Sequence, residues 1–189
     1  MALTTSSLDS NTAQFLAQGY CVMRGLCAPD RVAQMKRCAL RDLSESVDPV
    51  EYEADVGYAG APRSLEQPGG RTIRRLLGAL KRDPVFLDWA RSDALLRVIR
   101  VLLRGLESDA DGFDPTATIR VVQAHHNCIM TKQPDYSSST GWHQDTRYWS
   151  FQRPDLINVW TALGRESADN GGMRLIPGSH RQAFDEASF

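Results

Sequence analysis

The chain changes texture once, and that change limits what it can fold into. Before residue 107 the apolar residues recur mainly at three- and four-residue steps; after residue 117 they come in short runs separated by Pro, Ser, Asn or Gly clusters. Between them lies Glu107 to Ala117 (ESDADGFDPTA), an acidic, turn-rich connector. It lacks the ligand spacing and terminal Glu of an EF-hand, so it reads as a linker. The expected class is α+β: a helical N-terminal layer followed by an antiparallel β unit. No repeat at a solenoid or propeller period interrupts this plan.

In the helical part, Thr12 to Gln18 is an amphipathic stretch stopped by Gly19, and Tyr20 to Arg24 is a β-prone run. Pro29-Asp30 opens a helix whose Val32, Met35, Ala39 and Leu43 share one face. Ser44 to Gly70 is aperiodic and acidic, a length of loop that is either functional, as a lid or pocket wall, or disordered. Thr72 to Leu106 reads as two or three helices broken at Pro84. The last sets Leu95, Val98, Ile99, Leu102 and Leu106 opposite Arg97, Arg100 and Arg104, and an arginine row in that position reads as a solvated face. The strand-length runs are Ile119 to Thr131, Gly141 to Phe151, Leu156 to Leu163 and Gly172 to Pro177.

Charge and cysteine content exclude several classes. With 22 basic and 23 acidic residues the net charge is −1, which gives no global field to recruit nucleic acid or an anionic membrane. Cys21, Cys27, Cys38 and Cys128 show no C-x-x-C spacing, which argues against a zinc knuckle or disulfide framework and for a reducing cytoplasm. No run approaches ~18 consecutive apolar residues, and Met1 to Gln18 has no signal-peptide pattern, so no membrane association is expected.

The residues with chemistry are in Thr140-Gly141-Trp142-His143-Gln144-Asp145-Thr146-Arg147-Tyr148-Trp149. On a strand, His143 and Asp145 would project to one side while Gln144 faces away. An imidazole and a carboxylate aimed at one point are two thirds of the 2-His-1-carboxylate triad of non-haem Fe(II) sites. The same tripeptide also serves as a structural hydrogen bond. His125 and His126 are adjacent, so they point to opposite faces and cannot both ligate one metal. Asn170-Gly171-Gly172 and Pro177-Gly178 read as conformational turns.

Taken with Lys132-Gln133-Pro134-Asp135, Asn158-Val159-Trp160-Thr161-Ala162-Leu163 and Asn170 to Arg181 (NGGMRLIPGSHR), this stretch closely resembles the phytanoyl-CoA dioxygenase (PhyH) family. The resemblance implies an Fe(II)- and 2-oxoglutarate-dependent oxygenase that uses O₂, with ascorbate as a further reductant and a small organic molecule as substrate. It makes His143 and Asp145 the first two iron ligands. Trp160 and Thr131 fall on the 2-oxoglutarate side, and strand parity puts Asn127 and His125 on the face of Thr131; Arg147, Tyr148, Trp149 and Phe151, which follow Asp145 directly, are the candidates for the substrate side. Aromatics alternating on a strand serve equally as barrel core. His180, in the family's Pro-Gly-Ser-His corner, is not expected to ligate. The carboxylate Asp145 implies hydroxylation rather than halogenation.

The implied fold is a helical layer packed on a double-stranded β-helix (jelly roll, cupin-like), of which only about the first half is present. Residues 1–106 would be mainly helical, 107–117 the connector, and 118–189 the first half of the β-helix in a single incomplete domain. After Arg181 there is no histidine or arginine to act as third iron ligand or 2-oxoglutarate partner. The expectation is therefore a C-terminally truncated chain, inactive as it stands and prone to aggregation or strand-exchange self-association. The rival readings are a non-catalytic remnant or interaction scaffold of the same fold, and a nucleic-acid demethylase, against which the neutral charge argues.

Overall fold

The computed structural model describes residues 5–107, 119–122, 127–148 and 156–182, with the backbone alone described at 5–7, 106–107 and 147–148. Most of the acidic connector, together with His125, His126, Trp149 and Phe151, lies outside the described residues.

Helix α1 (Thr5–Gln18) starts before the expected Thr12 and stops where expected. Gly19 takes φ +83° and returns its N–H to Phe15 O at 2.7 Å, closing the helix. Tyr20 to Arg24, expected to be β-prone, forms no strand. Helix α2 (Pro29–Ser44) opens on proline, whose missing N–H costs nothing at the first turn, and ends with Glu45 N donating to Arg41 O. Its buried face is Met35, Cys38, Ala39 and Asp42.

The next stretch corrects the helical expectation for Thr72 onward. Val50–Tyr52 (β1) and Ile73–Leu77 (β2) pair antiparallel, with an irregularity between Glu51 and Tyr52, and β2 pairs antiparallel with Cys128–Met130 (β3). Strand β2 is central. Its neighbours Ile73 and Arg74 point to opposite faces and are both buried, so the alternation that marks a half-exposed strand is absent. Helices follow as expected: α3 (Ala79–Arg82), α4 (Pro84–Ala90) and α5 (Asp93–Glu107). Asp83 caps α4 by accepting from Val85 N at 3.0 Å, one residue before the proline that opens it.

The core is made where α2, α4 and α5 meet: Met35, Cys38, Val85, Phe86, Trp89 and Leu95, with Ile129 of β3 and Leu163 packed against it. On α5, Leu95, Val98 and Leu102 are buried and Arg97, Arg100 and Arg104 are exposed, so the arginine row is a solvated face. Arg82 joins α3 to α2 and the loop beyond it. It donates to Asp42 Oδ2 (3.1 Å), Leu77 O (2.9 Å), Val47 O (3.0 Å) and Pro49 O. Burial pushes the Asp42 carboxyl up, but hydrogen bonds from Arg41 and Arg82 outweigh it and hold the group below the usual carboxylate range.

After β3 the expected strands do not form ladders among the described residues. Gly141 to Gln144 is irregular and runs into a 3-10 turn at Asp145–Tyr148; residues 156–162, before the turn at Ala168–Asn170, and 173–176, between it and the turn at Ser179–Arg181, have no sheet partners among the described residues. A strand's backbone donors and acceptors are satisfied only by a neighbour, and none pairs with these stretches here. Among the described residues the architecture is thus a mixed helix-and-sheet fold with a small antiparallel sheet. Among the described residues no helix is long and apolar enough to cross a membrane, and all four cysteines are free thiols, each held above its ordinary pKa by burial.

Candidate functional site

His143 and Asp145 come together although the segment carrying them is not a strand. His143 Nε2 lies 3.3 Å from Asp145 Oδ1. On the other side of the ring, Nδ1 lies 2.9 Å from Gly141 O. A carbonyl only accepts, so the proton sits on Nδ1 and, in the neutral ring, the Nε2 lone pair faces the carboxylate. The second carboxylate oxygen accepts from Asn158 Nδ2 at 2.6 Å. Two acceptors at this distance repel unless a proton or a cation lies between them.

The donor set fits a metal. Imidazole nitrogen and carboxylate oxygen each bind first-row divalent ions at about 2.0–2.2 Å, so two such donors in neighbouring coordination positions stand about 3 Å apart. Each ligand is also oriented from behind, His143 by Gly141 O and Asp145 by Asn158, the arrangement that fixes tautomer and direction at metal sites. Both side chains are about one-third exposed, 33% and 32%, which leaves access for a further ligand. Among the described residues no third His, Cys, Asp or Glu joins them in a metal-sized group.

The other expected site residues are spread more widely. Trp160 is exposed and donates its indole N–H to both carboxylate oxygens of Glu166 at 2.9 Å. Thr131 donates its hydroxyl to Ile73 O at 2.6 Å, while its N–H reaches Arg74 O, extending the β2–β3 edge. Asn127 closes α3 onto the sheet: its carbonyl accepts from Gly78 N and Ala79 N, and its side-chain oxygen from Leu80 N at 3.0 Å. Arg147 and Tyr148 lie in the 3-10 turn that Asp145 opens, with only their backbone described, and Trp149 lies outside the described residues.

The two turns singled out in the sequence are conformational. Gly171 takes φ +80° and ends the Ala168–Asn170 turn, while Asn170 accepts from Ser167 N and donates to Arg165 O. The Pro177 to Arg181 corner docks on the end of α1: Gly178 N donates to Gln18 O and Arg181 to Leu16 O. A Cβ at Gly19 would lie 2.4 Å from His180 Nδ1, so only glycine permits this approach. Gln144, between His143 and Asp145 in the chain, donates to Ser179 O at 3.0 Å and so ties the corner to the site.

Several participants were not singled out by pattern. Asn158 sits two residues before Trp160 in a quoted motif, yet nothing local distinguishes an amide that will meet a carboxylate thirteen residues away. The loop between α2 and β2 forms one wall of a groove of about 460 Å³, with Gly60, Ala61, Pro62, Gln67 and Pro68 facing Asp135 to Ser137. His143 and Asp145 do not line that groove.

Residues 15–188 match the family model described as phytanoyl-CoA dioxygenase (PhyH). The chain belongs to this family. Among curated proteins it is 36% identical over 64 residues to human peroxisomal phytanoyl-CoA dioxygenase, covering 32% of this chain and 19% of that protein. It is 24% identical over 172 residues to the probable alpha-ketoglutarate-dependent hypophosphite dioxygenase of Stutzerimonas stutzeri, covering 89% and 52% of the two chains. To ectoine dioxygenase of Streptomyces coelicolor it is 25% identical over 167 residues, covering 86% and 48%. Along these last two matches the chain spans about half the length of the curated relatives it matches. No solved structure gives a significant match.

Proposed function

We propose that this PhyH chain contributes His143 and Asp145 as two iron ligands of an Fe(II)- and 2-oxoglutarate-dependent dioxygenase that hydroxylates a small organic molecule. The observation that carries the reading is the His143 ring: with Nδ1 against Gly141 O, it turns Nε2 towards a carboxylate oxygen 3.3 Å away. Asn158 keeps that carboxylate from rotating off. Bound iron with 2-oxoglutarate and O₂ would supply the oxidising chemistry, with ascorbate to maintain the metal. The protein residues orient two donors and leave the remaining coordination positions accessible.

The proposal extends to Trp160, Thr131 and Asn127 on the cosubstrate side and Arg147, Tyr148 and Trp149 on the substrate side. It also extends to a double-stranded β-helix as the fold, with 1–106 as its mainly helical part and 118–189 as the N-terminal half of the core. The resemblance in motif order and the relatives named as dioxygenases support it. Four unpaired thiols suit a reducing cytoplasm.

Anaerobic titration of the purified chain with Fe(II), followed by 2-oxoglutarate, tests the site. Saturable binding that His143→Ala and Asp145→Ala each weaken by at least about tenfold is the expected result. Equal binding by wild type and both variants would remove the ligand assignment.

A further inference from the structure

A buried arginine, remote in sequence from the candidate ligands, reaches the segment that leads into them. Arg74 and Glu53 are each 1% exposed. Arg74 Nη1 donates to Ser138 Oγ (3.1 Å) and Nη2 to Thr140 Oγ1 (2.7 Å). Residues two apart in extended chain present side chains on one side, so the planar guanidinium fork grips both hydroxyls at once. Glu53 Oε2 accepts from Ser138 N at 3.1 Å and from its hydroxyl at 2.5 Å, and Lys132 Nζ donates to Ser138 O at 2.8 Å. Ser138 is the only buried residue among those described beyond Glu107.

This grip is poorly explained as a source of stability. Arg74 Nη1 stands 3.9 Å from Glu53 Oε1 and Nε stands 3.4 Å from Glu51 Oε1, and Nε and both of those oxygens lack hydrogen bonds. Desolvating such charges costs about as much as their attraction returns. What the arrangement does supply is a fixed position. Tyr58 lies against the guanidinium at 4.7 Å, further restricting it. From Thr140 the chain is short and directional: the next residue is Gly141, whose carbonyl meets His143 Nδ1.

We propose that Arg74 is a positioning residue for His143. Its hold on Thr140 and Ser138 sets the direction of the Gly141 carbonyl, and that carbonyl sets which ring nitrogen faces Asp145 and at what angle. The inference rests on the assignment of His143 and Asp145 as metal ligands, and it names the part of the scaffold that pre-forms their geometry.

The test uses the full chain as Thr140→Val, which keeps the shape and loses the acceptor, and Thr140→Ser, which keeps it, beside Arg74→Lys, which lacks the fork. Two readouts are taken: amide hydrogen exchange at 141–145 without metal, and the Co(II) dissociation constant, with the denaturation midpoint to confirm that each variant is folded. Thr140→Val is expected to speed exchange at 141–145 and weaken Co(II) about tenfold, with Thr140→Ser restoring both and Arg74→Lys behaving like the valine variant. Wild-type exchange at 141–145 in folded Thr140→Val overturns the proposal, as does wild-type Co(II) affinity where His143→Ala abolishes binding. If wild type and His143→Ala bind Co(II) equally, the ligand assignment fails, and exchange alone decides whether Arg74 positions this turn.

Discussion

The segment from Pro29 to Leu102 and the segment from Arg120 to Gln182 divide the work of the molecule unequally. Every buried apolar side chain of the described residues lies in the first, from Met35 to Leu102. In the second, Val121, Trp142, Val159, Trp160, Leu175 and Ile176 are exposed. The candidate ligands lie in this second segment, held to the first by specific polar bonds and few apolar ones: Arg74 to Thr140, Trp89 to Thr161, Leu80 N to Asn127 and Ser138 N to Glu53. The difference teaches that the geometry of the site is imposed from outside it. Apolar burial fixes a platform but is non-directional, and directional hydrogen bonds from that platform aim the segment that carries the chemistry.

Like substitutions in the two segments should have very different costs. Phe86→Ala, in the core, is expected to cost about 3–5 kcal/mol in urea denaturation. Leu175→Ala, at a side chain 46% exposed, is expected to change stability by no more than about 0.5 kcal/mol. Comparable costs would erase the division. Next in size, Asp42→Asn removes the charge that Arg82 meets across 3.1 Å, both side chains being almost fully buried, and should cost about 3 kcal/mol near neutral pH. Because the Asp42 pKa is depressed in the fold, its contribution is present above the ordinary carboxylate pKa and is lost as pH falls through the folded value. The difference between wild type and Asp42→Asn should therefore close in acid. A gap that stays constant down to the acid limb would remove the linkage.

How much of this was legible in the sequence follows the same division. Helix α2 and helix α5 were readable because a one-faced helix repeats its apolar residues locally, as Met35, Ala39, Leu95, Val98 and Leu102 do. Strand β2 was misread as helix because both of its faces are buried and its partners, Val50–Tyr52 and Cys128–Met130, lie far off in the chain. The His143–Asp145 pair was legible as chemistry, but the strand parity used to bring the residues together was not the means. A 3-10 turn starting at Asp145 and the Gly141 carbonyl do it instead. Arg74, Glu53 and Asn158 were not legible because a contact between distant residues leaves no spacing to read. Arg74 in particular, in Ile73-Arg74-Arg75-Leu76, reads as a surface charge beside another, and only the fold separates the buried arginine from its neighbour.

Two smaller effects sharpen the claim that polar bonds carry the aim. Trp89 sits in the core and donates its indole N–H to Thr161 Oγ1 at 2.9 Å, reaching from helix α4 into the stretch that carries Asn158 and Trp160. Trp89→Phe keeps most of the apolar volume and loses the donor. It should cost about 1–2 kcal/mol globally and speed amide exchange at 158–163 beyond what that loss predicts. Thr161→Val should reproduce the local effect with a smaller global one, and exchange that follows global stability alone would assign the bond no orienting part.

The smallest expected effect falls on Gln144. Its side chain donates to Ser179 O at 3.0 Å and to Gln182 O at 3.3 Å, so it links the site to the corner that caps α1. These are partly solvated neutral bonds, and water replaces them in the variant, so Gln144→Ala should cost only about 0.5 kcal/mol. Its local consequence is larger in kind. With the link cut, the corner still holds α1 through Arg181 and Gly178, while the His143 turn keeps Arg74 on Thr140 and Asn158 on Asp145. Exchange should then rise at 143–145 and stay unchanged at 178–181. A rise on both sides would mean that Gln144 holds the corner as well as the site, and the platform would have to be redrawn to include it.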